Sequence, residues 1–199
     1  MSRTYCADCA YHVSLPCVSQ VRMTADRECV ILHDSNVDRT TIGPHTGPVW
    51  ELTLAQVKEL DCIPTTPHPA QPASHAALLL PRTPSTTAIK IPTLTELLDS
   101  LPPPSAREAG KGGGIELNMH TYPADDGRDL EPLVQAVCAE IRGRPGLLQT
   151  AFVAGDAAVM ECVRAIDGRV RLCLLGRVAS EHDRYIQKCA ELGCDIMQP

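Results

Sequence analysis

Aromatic residues are scarce in this sequence, which has one Trp, one Phe and four Tyr among its 199 residues. Bases of a nucleic acid would therefore find few stacking platforms. The net charge is −6 and no long basic stripe occurs, which argues against a nucleic-acid partner. No apolar run approaches the length of a membrane span. The first residues also lack the apolar block of a secretory signal, so we expect a cytoplasmic protein.

Cysteine, by contrast, is plentiful, with ten residues in the chain. Free cysteines inside strands and helices behave as small hydrophobic residues. Disulfides would need an oxidising compartment, which nothing else in the sequence supports. The sequence therefore predicts buried thiols at the six cysteines that stand singly in strand-like or helix-like segments, namely Cys29, Cys138, Cys162, Cys173, Cys189 and Cys194.

The N-terminal segment holds four residues of types that bind zinc, Cys6, Cys9, His12 and Cys17. Their spacing fits no standard zinc finger, because the second pair of ligands lies too close to the first. Chance clustering is the preferred interpretation, and a small zinc module is the lesser alternative. We interpret residues 1–17 as an unrelated or misassembled Cys-rich segment ahead of a domain over 18–199.

Short β-like runs alternate with helix-like runs along the rest of the chain. This order predicts an α/β protein with a parallel sheet covered by helices, either doubly wound or closed into a barrel. Residues 63–90, rich in Pro, Ser, Thr and Ala, are predicted to be a loop or a disordered insertion. Strands are predicted at 18–24, 29–34, 114–119, 147–155, 170–176 and 194–198, and helices at 52–61, 91–101, 130–143, 156–166 and 180–193.

Two polar positions are unusual because of where they fall in the predicted strands. His33 and Asp34 lie at the carboxyl end of a strand, where α/β proteins gather their chemistry. Glu116 lies inside a strand, although charged residues are rare in parallel strands covered on both faces. A carboxylate there needs a cation or a hydrogen-bond partner. Both positions are therefore candidates for a functional site.

Four segments together resemble the glycerophosphodiester phosphodiesterase family. Residues 29–43, CVILHDSNVDRTTIG, resemble its strand and loop with the pattern His-Asp, Asp-Arg-Thr-Thr, Gly. Residues 47–62, GPVWELTLAQVKELDC, and 91–101, IPTLTELLDSL, resemble the two helical segments that follow. Residues 114–119, GIELNM, stand where the family has an Ile-Glu-x-Lys strand. These motifs in this order form a specific signal that extends over roughly residues 18–199.

The resemblance implies a TIM (β/α)8 barrel and the hydrolysis of glycerophosphodiesters to glycerol 3-phosphate and an alcohol. It also implies two catalytic His residues and a divalent cation, Mg²⁺ or Ca²⁺, held by carboxylates. By this resemblance His33 is a catalytic residue, with the general acid as its expected role, and Glu116 is a metal ligand. Asn118 and Arg39 are the expected substrate-binding residues, and the expected partner is a small glycerophosphodiester.

The sequence departs from the family pattern at several site positions. The family's first strand, with His-Arg-Gly, has no counterpart here. Val18 and Gln20 occupy the positions of the Glu-x-Asp metal ligands, and Asn118 replaces a Lys. One carboxylate with a neutral amide is a weak set of ligands for Mg²⁺. We therefore predict that this chain hydrolyses glycerophosphodiesters poorly or not at all.

The predicted barrel is also incomplete, since the first and last strands of the family are missing from the predicted set. An unclosed barrel leaves two sheet edges with unpaired backbone N–H and C=O groups. The chain is interpreted either as a truncated or misassembled copy of a working enzyme or as a real degenerate homologue. The rival to the enzyme hypothesis is a catalytically inactive homologue or fragment that acts as a binding or interaction module.

Overall fold

A six-stranded sheet organises the chain in the computed structural model, which describes residues 17–63, 89–101, 115–119, 129–144, 146–176 and 181–198. Two further short strands pair with each other in a separate small sheet. The strands are Cys17–Met23 (β1), Cys29–Ile31 (β2), Thr41–Ile42 (β3), Asp61–Cys62 (β4), Ile115–Asn118 (β5), Ala151–Gly155 (β6), Arg171–Leu175 (β7) and Ile196–Gln198 (β8). The helices are Leu54–Glu59 (α1), Leu94–Ser100 (α2), Glu131–Gly143 (α3), Leu147–Thr150 (α4), Ala157–Ile166 (α5) and His182–Leu192 (α6), with a 3-10 turn at Val49–Glu51.

The sheet has the strand order β2-β1-β5-β6-β7-β8. The last five strands in this order run parallel, and β2 pairs antiparallel with β1 as the return strand of a hairpin. Consecutive parallel strands from β5 to β8 are joined through helices, as the alternating sequence pattern predicted. The prediction of an α/β fold with an incomplete barrel is confirmed, because the strands in the described part of the chain do not close on themselves.

One predicted strand is wrong in its first half. Residues 147–155 were expected to form a single strand, but Leu147–Thr150 form a helical turn and only Ala151–Gly155 form β6. The Thr150 hydroxyl donates to the Gly146 carbonyl at 3.0 Å, which closes this turn. Short apolar runs do not distinguish strand from helix by periodicity alone.

The helices predicted at 52–61 and 91–101 are both present, and each begins with a capping box. Thr53 accepts a hydrogen bond from the Gln56 amide, and the Gln56 side chain accepts from the Thr53 amide, so α1 begins with a capping box. Thr93 and Glu96 form the same reciprocal pair at the start of α2. Each box satisfies amide groups that have no partner inside the helix.

The helices cover one face of the sheet with a large apolar core. Leu117 on β5, Val153 on β6 and Leu172 on β7 are fully buried there. Leu94 of α2 and Val137 of α3 belong to the same cluster. The side of the sheet that these residues and the helices share is called the outer face below. Because side chains alternate along a strand, the residues next to them in each strand face the opposite side of the sheet.

The opposite side, called the inner face below, combines polar and apolar residues. Glu116 and Asn118 of β5 lie on it, as do Gln20 and Arg22 of β1 by alternation and register. A small apolar cluster of Phe152, Ala154 and Cys173 continues the same face across β6 and β7. In the described part of the chain, no helix has the length and apolar character needed to span a bilayer.

Candidate functional site

Strands β1 and β5 bring the predicted site positions together on the inner face. They pair in parallel with Val18 opposite Glu116 and Gln20 opposite Asn118. Neighbouring strands lie about 5 Å apart, so residues in register on one face are in side-chain range. The site candidates on β1 and β5 therefore form a single surface, although the side chain of Val18 lies outside the part that the structure describes.

Glu116 is the central charged group of this surface and is 1% exposed. Its Oε2 accepts a hydrogen bond from Gln198 Nε2 at 3.1 Å, and its Oε1 accepts a longer one from Asn118 Nδ2 at 3.5 Å. Burial raises the pKa of Glu116, and the hydrogen bonds from Gln198 and Asn118 oppose that effect. The carboxylate is thus held by two neutral amides and is less acidic than an exposed Glu.

Two amide oxygens of the same surface have no hydrogen-bond partner within the described residues. They are Gln20 Oε1 and Asn118 Oδ1, and both atoms are buried. Asn118 as a whole is 5% exposed. A buried acceptor without a donor costs free energy, so most such groups in proteins find a partner. These oxygens are therefore acceptors with unused hydrogen-bonding capacity on the inner face.

The β1–β2 hairpin brings His33 beside β1. The Leu32 amide donates to the Gln20 carbonyl at 3.1 Å, which extends the antiparallel pairing one residue beyond β2. Arg22, which is 5% exposed, donates from Nη2 to the His33 carbonyl at 3.0 Å. The backbone of His33 is thus held next to the site residues of β1.

The imidazole of His33 has its own positioning network. His33 Nδ1 lies 2.8 Å from Asp34 Oδ1, and 54% of the His33 side chain is exposed. Arg39 holds Asp34 with two bonds, from Nε to Oδ2 at 2.7 Å and from Nη2 to Oδ1 at 2.9 Å. The Arg39 guanidinium lowers the pKa of Asp34 to about 2, so this carboxylate is ionised at neutral pH. With Nδ1 engaged, Nε2 is the nitrogen that can exchange a proton with a ligand.

Buried apolar residues fix the loop that carries this network. Val37 and Val49 are 0% and 1% exposed and join a second apolar cluster below the loop. The Gly47 amide donates to Asp38 Oδ1 at 2.7 Å across the loop. The loop conformation is therefore set by packing and hydrogen bonds together.

Sequence reasoning overlooked two residues of the site, Arg22 and Gln198. Arg22 follows Gln20 by two positions, so strand alternation alone places it on the same face. Gln198 lies in the last predicted strand, but its bond to Glu116 joins residues 82 positions apart, and no local pattern indicates it. The N-terminal residues of zinc-binding type, Cys6, Cys9 and His12, lie outside the described residues, as do the Cys17 side chain and most of the predicted insertion at 63–90.

Comparison with known proteins identifies the family of this chain. Residues 10–144 match the sequence profile described as the glycerophosphoryl diester phosphodiesterase family. The chain belongs to this family. No curated protein matches the sequence of this chain.

Solved structures of glycerophosphoryl diester phosphodiesterases are similar in fold. One of them, from Silicibacter pomeroyi DSS-3, has a TM-score of 0.66 and 20% identity, and the match covers 90% of this chain and 63% of that one. A glycerophosphodiester phosphodiesterase from Agrobacterium tumefaciens has a TM-score of 0.57 and 19% identity, covering 90% and 61%. An Oleispira antarctica phosphodiesterase in complex with the product sn-glycerol-3-phosphate has a TM-score of 0.63 and 16% identity, covering 92% and 62%. The chain therefore spans less than two thirds of each of these proteins.

The divalent cation that this family implies does not fit the described residues well. Within the described ranges, no three Cys, His, Asp or Glu side chains converge as cation ligands. Glu116 is the one carboxylate among the predicted ligands, and amide N–H groups already donate to both of its oxygens. The oxygens of Gln20 and Asn118 are of the class that Ca²⁺ and Mg²⁺ accept, but they carry no charge. The described residues therefore lack the charged ligands that a divalent cation needs at this site.

Proposed function

We propose that this chain binds glycerophosphodiesters at the inner face and hydrolyses them slowly at most. The observation that carries the proposal is the Glu116–Asn118–Gln198 network, in which amides surround a single buried carboxylate. Metal-assisted phosphodiester hydrolysis needs concentrated positive charge at the phosphoryl oxygens. The described inner-face residues offer too few anionic ligands to hold that charge.

The buried acceptors support binding by the same face. Gln20 Oε1 and Asn118 Oδ1 would each accept a hydrogen bond from a hydroxyl of the glycerol moiety. The gain is twofold, because the ligand obtains a bond and a buried oxygen obtains a donor. Arg22, two residues after Gln20 on the same face of β1, supplies a cationic group.

The family reaction, metal-dependent hydrolysis, is the second candidate, and the His33 network favours it. An imidazole held at Nδ1 by an ionised carboxylate has the arrangement of a general acid or base. In this candidate, His33 Nε2 would protonate the leaving alcohol, Glu116 would be the residue that holds the cation, and Asn118 and Arg39 would contact the substrate. Arg39 would have to do so while bound to Asp34.

The two candidates can be separated by thermal shift and phosphorus NMR on the same protein. Glycerophosphocholine and sn-glycerol 3-phosphate are each added with EDTA, Mg²⁺ or Ca²⁺. If the chain binds the diester through amides, glycerophosphocholine raises the unfolding temperature even with EDTA, since a ligand that binds only the folded state stabilises it. The double substitution Gln20→Ala with Asn118→Ala should remove that rise.

The control is Glu161→Gln, which alters an exposed carboxylate paired with Lys188 and should leave the shift intact. The binding proposal fails if the diester causes no shift under any condition. Cation-dependent turnover that Glu116→Gln abolishes would instead establish the family reaction and refute slow hydrolysis.

A further inference from the structure

Two cysteines meet at the end of α6, away from the residues of the proposed binding site. The helix ends at Gly193, whose φ of 60° is left-handed. The Gly193 amide donates to the Ala190 carbonyl at 3.2 Å, and the Cys194 amide donates to the Cys189 carbonyl at 2.9 Å. This is a Schellman motif, which brings the side chains of its first and last residues together. Here those residues are Cys189 and Cys194.

The Cys189 thiol reaches the main chain of Cys194, and both residues are partly exposed. Cys189 Sγ donates to the Cys194 and Ile196 carbonyls, each at 3.9 Å. Both residues are of intermediate exposure, so small reagents can approach them. A disulfide requires two Cα atoms about 4.4–6.8 Å apart, and the reach of the Cys189 sulfur to the Cys194 carbonyl shows that the two residues are immediate neighbours in space.

Arg164 fixes the backbone between these cysteines. Its Nε donates to the Leu192 carbonyl at 2.8 Å, and its Nη2 donates to the Gly193 carbonyl at 2.6 Å. The same guanidinium reaches the Val170 carbonyl through Nη1 at 2.6 Å. The turn that juxtaposes the thiols is therefore tied to α5 and to the start of β7.

We infer that Cys189 and Cys194 form a dithiol site that reacts with small disulfide oxidants, with glutathione disulfide as the defining reagent. A Cys189 thiolate attacks one sulfur of the oxidant, forming a mixed disulfide and releasing one glutathione. The Cys194 thiolate then attacks the Cys189 sulfur and releases the second glutathione. Two protein thiols are oxidised to one disulfide, one glutathione disulfide is reduced to two thiols, and both protons pass to glutathione.

The disulfide would bridge α6 directly to the segment that enters β8. Residue Gln198 of that strand is the one that donates to Glu116. Burial raises the pKa of Cys194 to about 11, and contact with Cys189 adds to this. Ring closure therefore depends on deprotonating Cys194, and the incubation is best run at mildly alkaline pH.

The sequence permits a direct test by mass spectrometry on the full chain. Trypsin cleaves after Lys188, and residues 189–199 contain both cysteines and no further Lys or Arg. After incubation with glutathione disulfide and alkylation of remaining thiols, this peptide should have lost two hydrogen atoms and should carry no alkyl group. Cys194→Ser should stop the reaction at a glutathione adduct on Cys189. Cys162→Ser, which changes another partly exposed thiol, should not alter the peptide.

The same incubation in urea tests whether the fold creates the site. We expect a larger closed fraction in the native protein than in the unfolded chain. Equal fractions in the two conditions would overturn the inference. So would a native peptide with both cysteines alkylated while Cys62 or Cys162 carries glutathione.

Discussion

The two faces of β5 differ in almost every respect although they alternate along four residues. Ile115 and Leu117 point into the helix-covered core and are 1% and 0% exposed. Glu116 and Asn118 point to the inner face and are just as hidden, at 1% and 5%, but they are polar. The outer face gains free energy from burial, whereas the inner face gives some of it up. The outer-face residues therefore stabilise the fold of the family, whereas the inner-face residues are those that a ligand would contact.

The largest effect should come from truncating the outer face. Leu117→Ala should lower the free energy of unfolding by about 2–5 kcal/mol, since it removes a fully buried side chain and leaves a cavity. Asn118→Ala, the next residue on the opposite face, should cost about 1 kcal/mol or less, because it removes a weak bond and an unpartnered oxygen. Urea titrations of both variants measure the contrast. Equal losses would show that the two faces contribute alike.

An intermediate effect should come from the helix that seals the outer face. Thr93→Ala removes the capping box of α2, whose Leu94, Leu97 and Leu98 pack into the core, and should cost about 1 kcal/mol. Thr93→Ser keeps the side-chain acceptor and serves as the matched control. Unfolding midpoints that fall equally for both variants would contradict the capping explanation.

The smallest effect should come from the charge of the inner face, and it should depend on pH. The pKa of folded Glu116 lies above its ordinary value of 4.5, so the folded protein binds a proton where the unfolded chain does not. Its favourable contribution is complete below the unfolded pKa and is lost as pH rises through the folded pKa. Glu116→Gln, which cannot ionise, should therefore be more stable than the native chain at neutral pH.

The advantage of Glu116→Gln should shrink as pH falls toward 4.5, the ordinary value for this carboxyl. Unfolding midpoints of the two proteins across that range give the measurement. A Glu116→Gln protein that is less stable at neutral pH would mean that the ionised carboxylate has a favourable partner. Glu161→Gln, at an exposed position, supplies the baseline.

Most of the fold could be predicted because its signals are local. Thr93 with Glu96 and Thr53 before an apolar pattern mark helix starts through residues three positions apart. Alternating strands and helices predict a parallel sheet in the same way. The exception, at Leu147–Thr150, fell where an apolar run suits either structure.

The candidate site was less predictable because its bonds join distant parts of the chain. Position and resemblance led to the prediction of His33 and Glu116, which stays a prediction; the hairpin brings His33 beside β1, the strand that pairs with the β5 of Glu116. The guanidinium of Arg39 holds Asp34, and its predicted contact with the substrate stays a prediction. Gln198 was not foreseen, because a hydrogen bond across 82 positions leaves no trace in spacing.

That bond gives β8 an influence out of proportion to its length. The strand has three residues, pairs with β7 alone among the described strands, and ends in an exposed Gln198. Short edge strands open more often than central ones. Each opening would take away the donor at Glu116 Oε2 and shift the proton affinity of a carboxyl three strands away. The acidity of the buried carboxyl would then fluctuate with the opening of β8, and amide hydrogen exchange along that strand would measure how often it opens.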